Sequence, residues 1–255
     1  MLKVTEIYFS PSNTTKKVAK EIASNFNSSK TSYDLLIAPK ATENIEFNEE
    51  DLVIVAMPIF AGRIPKIARE KLECYKGNNT PAIAVVNFGN RAYDYGLYEL
   101  KELLEENGFK VIGAGAFISQ HSLFKGVAKG RPDEKDLSII KEFSKRCIEK
   151  LESKDFSVFE VPGKDKFLDY KDLPIVPECD ESLCTFCYDC VSICPLDAIP
   201  DEDPVDVDKD LCNACTACIS ICPEDARSFK GEVFEAMNSK FIANNSERKE
   251  GEFFI

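Results

Sequence analysis

Eight of the chain's eleven cysteines fall within residues 184–223, where one spacing occurs twice. The first run is Cys184-x2-Cys187-x2-Cys190-x3-Cys194-Pro195. The second is Cys212-x2-Cys215-x2-Cys218-x3-Cys222-Pro223, every cysteine displaced by 28 residues. Two residues between ligands let a tight turn aim three sulfurs at three corners of one iron–sulfur cube. The x3 step before proline carries the fourth sulfur across to a second cube. The spacing therefore predicts one [4Fe–4S] cluster on Cys184, Cys187, Cys190 and Cys222, and another on Cys212, Cys215, Cys218 and Cys194. Structural zinc needs only four ligands per ion, usually in CxxC pairs across a longer gap. A disulfide framework belongs to secreted chains. Neither accounts for two complete copies of the run.

With 255 residues the chain has room for one ordinary domain and one small one. No run of about 18 apolar residues occurs, so no membrane span is expected. The N-terminal MLKVTEIYFSPSN enters a strand-like alternation directly, without the basic and apolar regions of a signal peptide. A cytoplasmic location is expected, and the many thiols suit a reducing, anaerobic cell. The net charge of −12 is concentrated: residues 179–233 hold 13 acidic and 3 basic side chains. Such a surface turns away from nucleic acid and anionic membrane and toward a redox partner with a basic docking face. Acid runs such as Asp201-Glu202-Asp203 also serve simply to solvate a small domain.

Upstream of the cysteines, strands and helices alternate. Residues 2–9, Tyr33–Ile37, Asp51–Met57, Pro81–Asn87 and Lys110–Ser119 read as strands. The third and fourth are continuous apolar runs, as in strands covered on both faces. Helices are expected from the turn after residue 10 to about Phe26, and over Ile64–Cys74, Tyr93–Asn107 and Pro132–Glu152. This pattern predicts an α/β fold, a five-stranded doubly wound parallel sheet in the order 2-1-3-4-5. A small C-terminal α+β domain that carries the two cysteine runs is expected to follow. The expected organisation is a first domain over residues 1–155, a linker over 156–178 marked by Pro162, Gly163, Pro174 and Pro177, a cluster domain over 179–233, and a polar tail over 234–255.

In such a sheet a ligand sits at the carboxyl ends of the strands, beside the switch point. Three loops meet there. Ser10, Ser12, Asn13, Thr14 and Thr15 follow the first strand and open a helix, whose first amides and dipole suit a phosphate. Hydroxyl-rich helix starts are also common caps. The loop lacks both the triphosphate G-x4-G-K-[ST] and the dinucleotide G-x-G-x-x-G, which leaves a monophosphate as the better fit. The second loop contains Pro58, Ile59, Phe60, Ala61 and Gly62. The third contains Asn87, Phe88, Gly89, Asn90, Tyr93 and Tyr95. Their aromatic faces and small residues suit a planar ring.

On the segments YFSPSNTTK, MPIFAGRIP, FGNRAYDYG and AFISQHS the chain resembles the flavodoxins, and more closely the flavodoxin–ferredoxin fusion proteins of anaerobes, over about residues 1–225. The resemblance implies FMN in the first domain, two [4Fe–4S] clusters in the second, and electron transfer between them and a redox partner. It departs at Asn13, where the family usually has glycine; asparagine tolerates the left-handed backbone that glycine would supply. The competing reading is an FMN-dependent oxidoreductase that reduces a quinone, a free flavin or a nicotinamide with electrons delivered through the clusters. No nucleophile–base pair is visible. His121, the single histidine, either faces the flavin edge or serves the core, and its solitude leaves no His-rich metal centre. Arg63 and Arg91 either balance flavin charge or pair with acids. Cys74 and Cys147 read as packing residues, and Cys179 has no assigned role.

Overall fold

The computed structural model describes residues 2–39, 42–171 and 173–255; residue 172 of the expected linker lies outside this set. The first half consists of β1 (Lys3–Tyr8), α1 (Thr14–Ser24), β2 (Ser29–Asp34), β3 (Ile45–Phe47), β4 (Asp51–Pro58), α2 (Lys66–Leu72), β5 (Tyr75–Gly77), β6 (Thr80–Phe88), α3 (Gly96–Glu106), β7 (Phe109–Ile118) and α4 (Glu134–Ser153). The second half adds β8 (Glu178–Cys179), α5 (Asp189–Ser192), α6 (Ala217–Ile221), β9 (Arg227–Ser228), α7 (Glu232–Asn245) and β10 (Glu252–Phe254). No helix among the described residues is long and apolar enough to cross a membrane.

The main sheet runs β10-β7-β6-β4-β1-β2. Its five N-terminal strands are parallel and follow the flavodoxin-like order, with the switch point between β1 and β4. β4 and β6 are central and almost wholly buried, which is why they read as continuous apolar runs. Alternate side chains feed two cores. Val4, Leu52, Ile54 and Ile83 pack with Val18 and Ile22 of α1 and Ile140 and Phe143 of α4. Ile7, Val53, Val55 and Ala84 pack with Leu72 of α2 and Leu97, Leu100 and Leu104 of α3. The two-residue period of a strand thus sorts one sequence onto two helical layers.

The structure departs from expectation at both edges of the main sheet. β2 lies at Ser29–Asp34, upstream of Tyr33–Ile37, because the edge strand is polar. Leu35 and Leu36, which suggested a strand, are buried just beyond its end. The segment 234–255, expected as a polar tail, forms α7 and the antiparallel sixth strand β10, paired with β7. Phe253 reaches one core and Phe254 the other. Phe234, Met237, Phe241 and Ile242 of α7 pack with Leu123, Phe124 and Val127 from the loop after β7, and with Ile199, Cys218 and Ile219 of the cysteine module. α7 thereby joins the two halves of the molecule.

The linker is strapped down as well. Arg63 is buried in an ion pair with Glu99 at 2.5 Å and donates to the Leu168 carbonyl at 3.0 Å. Tyr170 donates to Glu99 at 3.1 Å, and its ring lies 3.9 Å from the Arg63 guanidinium carbon. The C-terminal segment is latched by Asn90, which is 2% exposed. Its Nδ2 donates to the carbonyls of Asn245 (2.8 Å) and Glu247 (2.7 Å), while its Oδ1 accepts from the Lys249 amide (3.2 Å). Truncating this side chain strands those backbone groups, at about 1–3 kcal/mol for the set. Asn90→Ala is therefore expected to lower the unfolding free energy by about 2 kcal/mol and to speed amide exchange across β10. Denaturant unfolding and hydrogen exchange test this, and unchanged protection of residues 252–254 would count against the latch.

Candidate functional site

The carboxyl edge of the sheet gathers the loops after β1, β4, β6 and β7 around a cleft. Pro11, Ser12, Thr14, Pro58, Ile59, Phe60, Asn87, Phe88, Gly89, Ser119, Gln120, His121, Ser122 and Cys215 line it. Ser12 and Thr14 share a hydroxyl hydrogen bond of 3.1 Å. Asn87 organises the floor: it donates to the Thr14 and Thr15 hydroxyls at 3.3 and 3.4 Å and accepts from Ser119 at 2.8 Å. Ser10 is buried and its hydroxyl oxygen accepts from the Lys16 amide at 2.9 Å, holding the first turn of α1. Asn13 caps α1 with φ 61°, the left-handed conformation its side chain tolerates. The free amides of a helix start therefore open beside hydroxyl donors, a cradle of suitable chemistry for a phosphate.

A second cavity of about 260 Å³ adjoins the cleft and shares Ile59, Phe60, Phe88, Gly89, His121 and Ser122 with it. Ala61, Gly62, Tyr170 and Leu173, the cysteine module's Asn213 and Ala214, and Phe241 of α7 also line it. Ala61 and Gly62 make the tight turn there with φ 49° and 90°. Gly89 allows close approach: a Cβ on it would lie 2.4 Å from His121 Cδ2. The residues present fit a phosphate-bearing planar ring, with hydroxyls at one end and aromatic and small residues at the other.

Three residues expected at this site are committed elsewhere. Asn90 holds the C-terminal segment. Tyr93 donates to Glu252 at 2.9 Å and packs edge-on against Phe88. Tyr95 packs against Tyr98 and Phe167. Arg63 and Arg91 line the second cavity, Arg63 paired with Glu99 and Arg91 with Asp94. Sequence reasoning missed the linker and α7 contributions; the 3- and 4-residue spacing of Phe234, Met237 and Phe241 was the available signal.

The cysteines form two quartets. Cys212, Cys215, Cys218 and Cys194 line one cavity, with Ile199, Val207 and Thr216. Cys184, Cys187, Cys190 and Cys222 line another, with Cys179, Pro204 and Arg227. The first is called proximal here, because Cys215 lines both it and the cleft of the sheet; the second is distal. Among the described residues no three Cys, His, Asp or Glu side chains close on a single-ion site. Burial pushes the Cys218 thiol up to about 12 and raises Cys215 further. Thiols so buried need a cationic group between them to lose their protons, which suits an iron–sulfur core. Burial followed by the bond to Cys184 pushes Cys179 up to about 11. Cys147 lies against the sheet and is raised by burial, an inert packing thiol.

His121 sits between the cleft, the cavity and α7. Its Nδ1 accepts from the amides of Leu123 and Phe124, both at 3.2 Å, so the neutral ring carries its proton on Nε2. Phe124 and Phe241 pack on the ring at centroid distances of 5.0 and 4.8 Å. Burial, with the Arg91 charge adding to it, pushes the His121 pKa down to about 4.

The family model described as the 4Fe-4S binding domain matches residues 180–199 and 205–228, one segment for each cysteine run. Similar solved structures include a flavodoxin from the domain Archaea, 18% identical over 59% of this chain and 99% of that chain, TM-score 0.42. Rubredoxin oxygen:oxidoreductase from the anaerobe Desulfovibrio gigas is 19% identical over 60% of this chain and 36% of that chain, TM-score 0.45. The apo form of an NADH:FMN oxidoreductase is 16% identical over 60% of this chain and 90% of that chain, TM-score 0.42. Comparison with curated proteins gave no match. The observed strand order, rather than these alignments, defines the sheet as flavodoxin-like. The chain thus joins a flavodoxin-like sheet to a segment, residues 180–228, that matches the 4Fe-4S binding domain, the organisation of the flavodoxin–ferredoxin fusions it resembles.

The histidine gives a prediction with a definite sign. Its folded pKa of about 4 lies below the unfolded value near 6.5, so protonation favours unfolding. Its contribution is complete above about pH 6.5 and lost as pH falls toward 4, up to about 3 kcal/mol. His121→Asn keeps a side-chain acceptor for the two amides and removes the titration. Unfolding free energies of parent and variant should converge as pH falls across that window; parallel curves would contradict the assignment.

Proposed function

We propose that the chain is an electron-transfer protein in which residues 1–155 hold FMN and residues 179–233 hold two [4Fe–4S] clusters. Cys184, Cys187, Cys190 and Cys222 ligate the distal cluster, and Cys212, Cys215, Cys218 and Cys194 the proximal one. Ser12, Thr14 and the first amides of α1 receive the FMN phosphate, and the loops at Ile59–Gly62 and Asn87–Gly89 flank the ring. When bound, the clusters supply single-electron chemistry and the flavin couples single electrons to pairs. The observation that carries this reading is Cys215, which lines both the proximal cavity and the cleft. Asn213 and Ala214, from the same turn, line the adjoining cavity. The chain thereby orders its sites as distal, proximal and flavin.

The distal cavity is where a partner would meet the chain. Cys187 is exposed, and Phe186 and Tyr188 beside it are 52% and 40% exposed. Pro204, which lines this cavity, belongs to the acidic loop carrying exposed Asp201, Glu202, Asp203 and Asp206. An apolar centre with an acidic margin suits a partner with a basic docking face. Thiol-rich cluster sites suit a reducing cytoplasm.

Cofactor content tests the core of the proposal. Anaerobically purified protein is expected to carry about eight iron and eight sulfide per chain, the sum for two cubes. Cys194→Ala should damage the proximal cluster and leave the distal one, and Cys222→Ala should do the reverse. Paramagnetic resonance of the two variants reads this out. Loss confined to the cluster of the same run would overturn the crossed ligation, and bound zinc in place of iron would overturn the clusters.

Association with a basic acceptor should slow steeply with salt, since screening acts over about 8–10 Å near physiological ionic strength. Replacing the four loop acids by their amides should lower the association rate at low salt and flatten that dependence, with cluster-to-flavin transfer unchanged. Stopped-flow rates across a salt series check this, and an unchanged low-salt rate would remove the acidic loop from docking.

A further inference from the structure

The 28-residue repeat makes the two cysteine cavities near copies, so departures from the repeat stand out. Ile199 of the proximal cavity has Arg227 as its counterpart in the distal one, and Val207 has Cys179. Arg227 is 2% exposed. One terminal nitrogen, Nη2, donates to the Pro204 carbonyl and, at 3.4 Å, to that of Asp206. Nε and Nη1 are buried with no hydrogen-bond partner among the described residues. A guanidinium with two unmet donors is costly to bury, and a native fold keeps one only where something meets them. Arg227 lines the cavity of Cys184, Cys187, Cys190 and Cys222. Its backbone is held opposite Cys179 by the β8–β9 pair, so the side chain is fixed at that wall.

We propose that Arg227 is a positioning residue for the distal cluster: its free N–H groups donate to the sulfurs of that cluster and its charge holds the distal reduction potential above the proximal one. Reduction adds one negative charge to a cluster, and a buried cation with two donors favours the more negative state. The proximal cavity offers only neutral side-chain donors, the Asn213 amide and the Thr216 hydroxyl, the latter buried and without a partner among the described residues. Glu224 also lines the distal cavity, but it is exposed and its charge is screened by water, whereas that of Arg227 is not. The Arg227 charge also reaches Cys212 and Cys218 of the proximal quartet through space, so what favours the distal cluster is the direct contact of its two free donors with that cavity. The distal cluster is then the one reduced first.

The inference rests on the cluster assignment above, and the experiment separates the two. Iron and sulfide are measured on the parent first; absence of clusters removes both claims together. With two clusters present, anaerobic redox titration followed by paramagnetic resonance gives each potential, the distal signal being the one altered by Cys187→Ser. In Arg227→Gln the reduced-to-oxidised ratio of the distal cluster at a fixed poise should fall at least about tenfold, with a smaller change at the proximal cluster. An unmoved distal ratio, or equal shifts at both clusters, overturns the proposal. A second arm needs no variant: parent protein labelled with guanidino-¹⁵N arginine should show ¹⁵N coupling to the reduced distal cluster. Absence of that coupling overturns the donor contact even if the glutamine variant fails to assemble.

Discussion

A module of about fifty residues cannot bury enough apolar surface to stand on a core of its own. The cysteine module shows the shortage: its buried apolar residues are mostly alanines and cysteines, with Ile199, Ile219 and Phe229 as the larger ones. Those larger residues do not face each other alone. They join Phe124 and Val127 from the loop after β7 and the apolar stripe of α7, forming one cluster that belongs to both halves. The same shortage that makes the module dependent on metal–thiolate bonds also obliges it to lean on the sheet. It leans at the carboxyl edge, where the loops are.

That dependence fixes the geometry of the site. With the loop after β7 and α7 as the seat, the turn Cys212–Cys215 falls over the cleft between the β4 and β6 loops, and the turn Cys184–Cys187 falls outside. The strap through Leu168 and Tyr170 closes another side, held by the buried Arg63–Glu99 pair. A buried ion pair contributes little net stability, but breaking it leaves a charge uncompensated, so it serves as a directional clamp. Adjacency of the cleft and the proximal quartet therefore follows from packing outside both of them.

Much of this was legible in the chain. The cysteine spacing encodes its own partition, because three sulfurs on a tight turn and a fourth just before proline leave little geometric freedom, and the quartets line separate cavities. The buried strands β4 and β6 were legible because burial on both faces demands an unbroken apolar run. β2 was displaced because an edge strand carries its register in backbone pairing with β1, which polar side chains such as those of Ser29 and Lys30 do not signal. Asn90, Tyr93 and Tyr95 looked like site residues on loop position alone. Their partners, residues 245–252 and 167, are distant in sequence, and no local pattern announces a long-range hydrogen bond. Arg227 was visible as a break in the repeat, but its burial without partners appears only in three dimensions.

Duplication produces two equal halves, and equal halves give electrons no preferred direction. Direction requires that the copies diverge where they touch the bound group while keeping every ligand. In this chain all eight cysteines and both prolines obey the repeat, as do Asp180 and Asp208, whose carboxylates accept from the amides two residues on. Positions 196 and 224, 199 and 227, and 207 and 179 break it, and all six line the cavities. At 196/224 and 199/227 an apolar proximal residue corresponds to a charged distal one, while 213/185 and 216/188, which also line the cavities, exchange one neutral polar residue for another. The proximal cavity, pressed between the module and the sheet, sits in the drier setting and carries the neutral lining. The distal one, open to solvent at Cys187, carries the buried cation. Low polarity disfavours added negative charge and a buried cation favours it, so both departures bias the pair in the same sense.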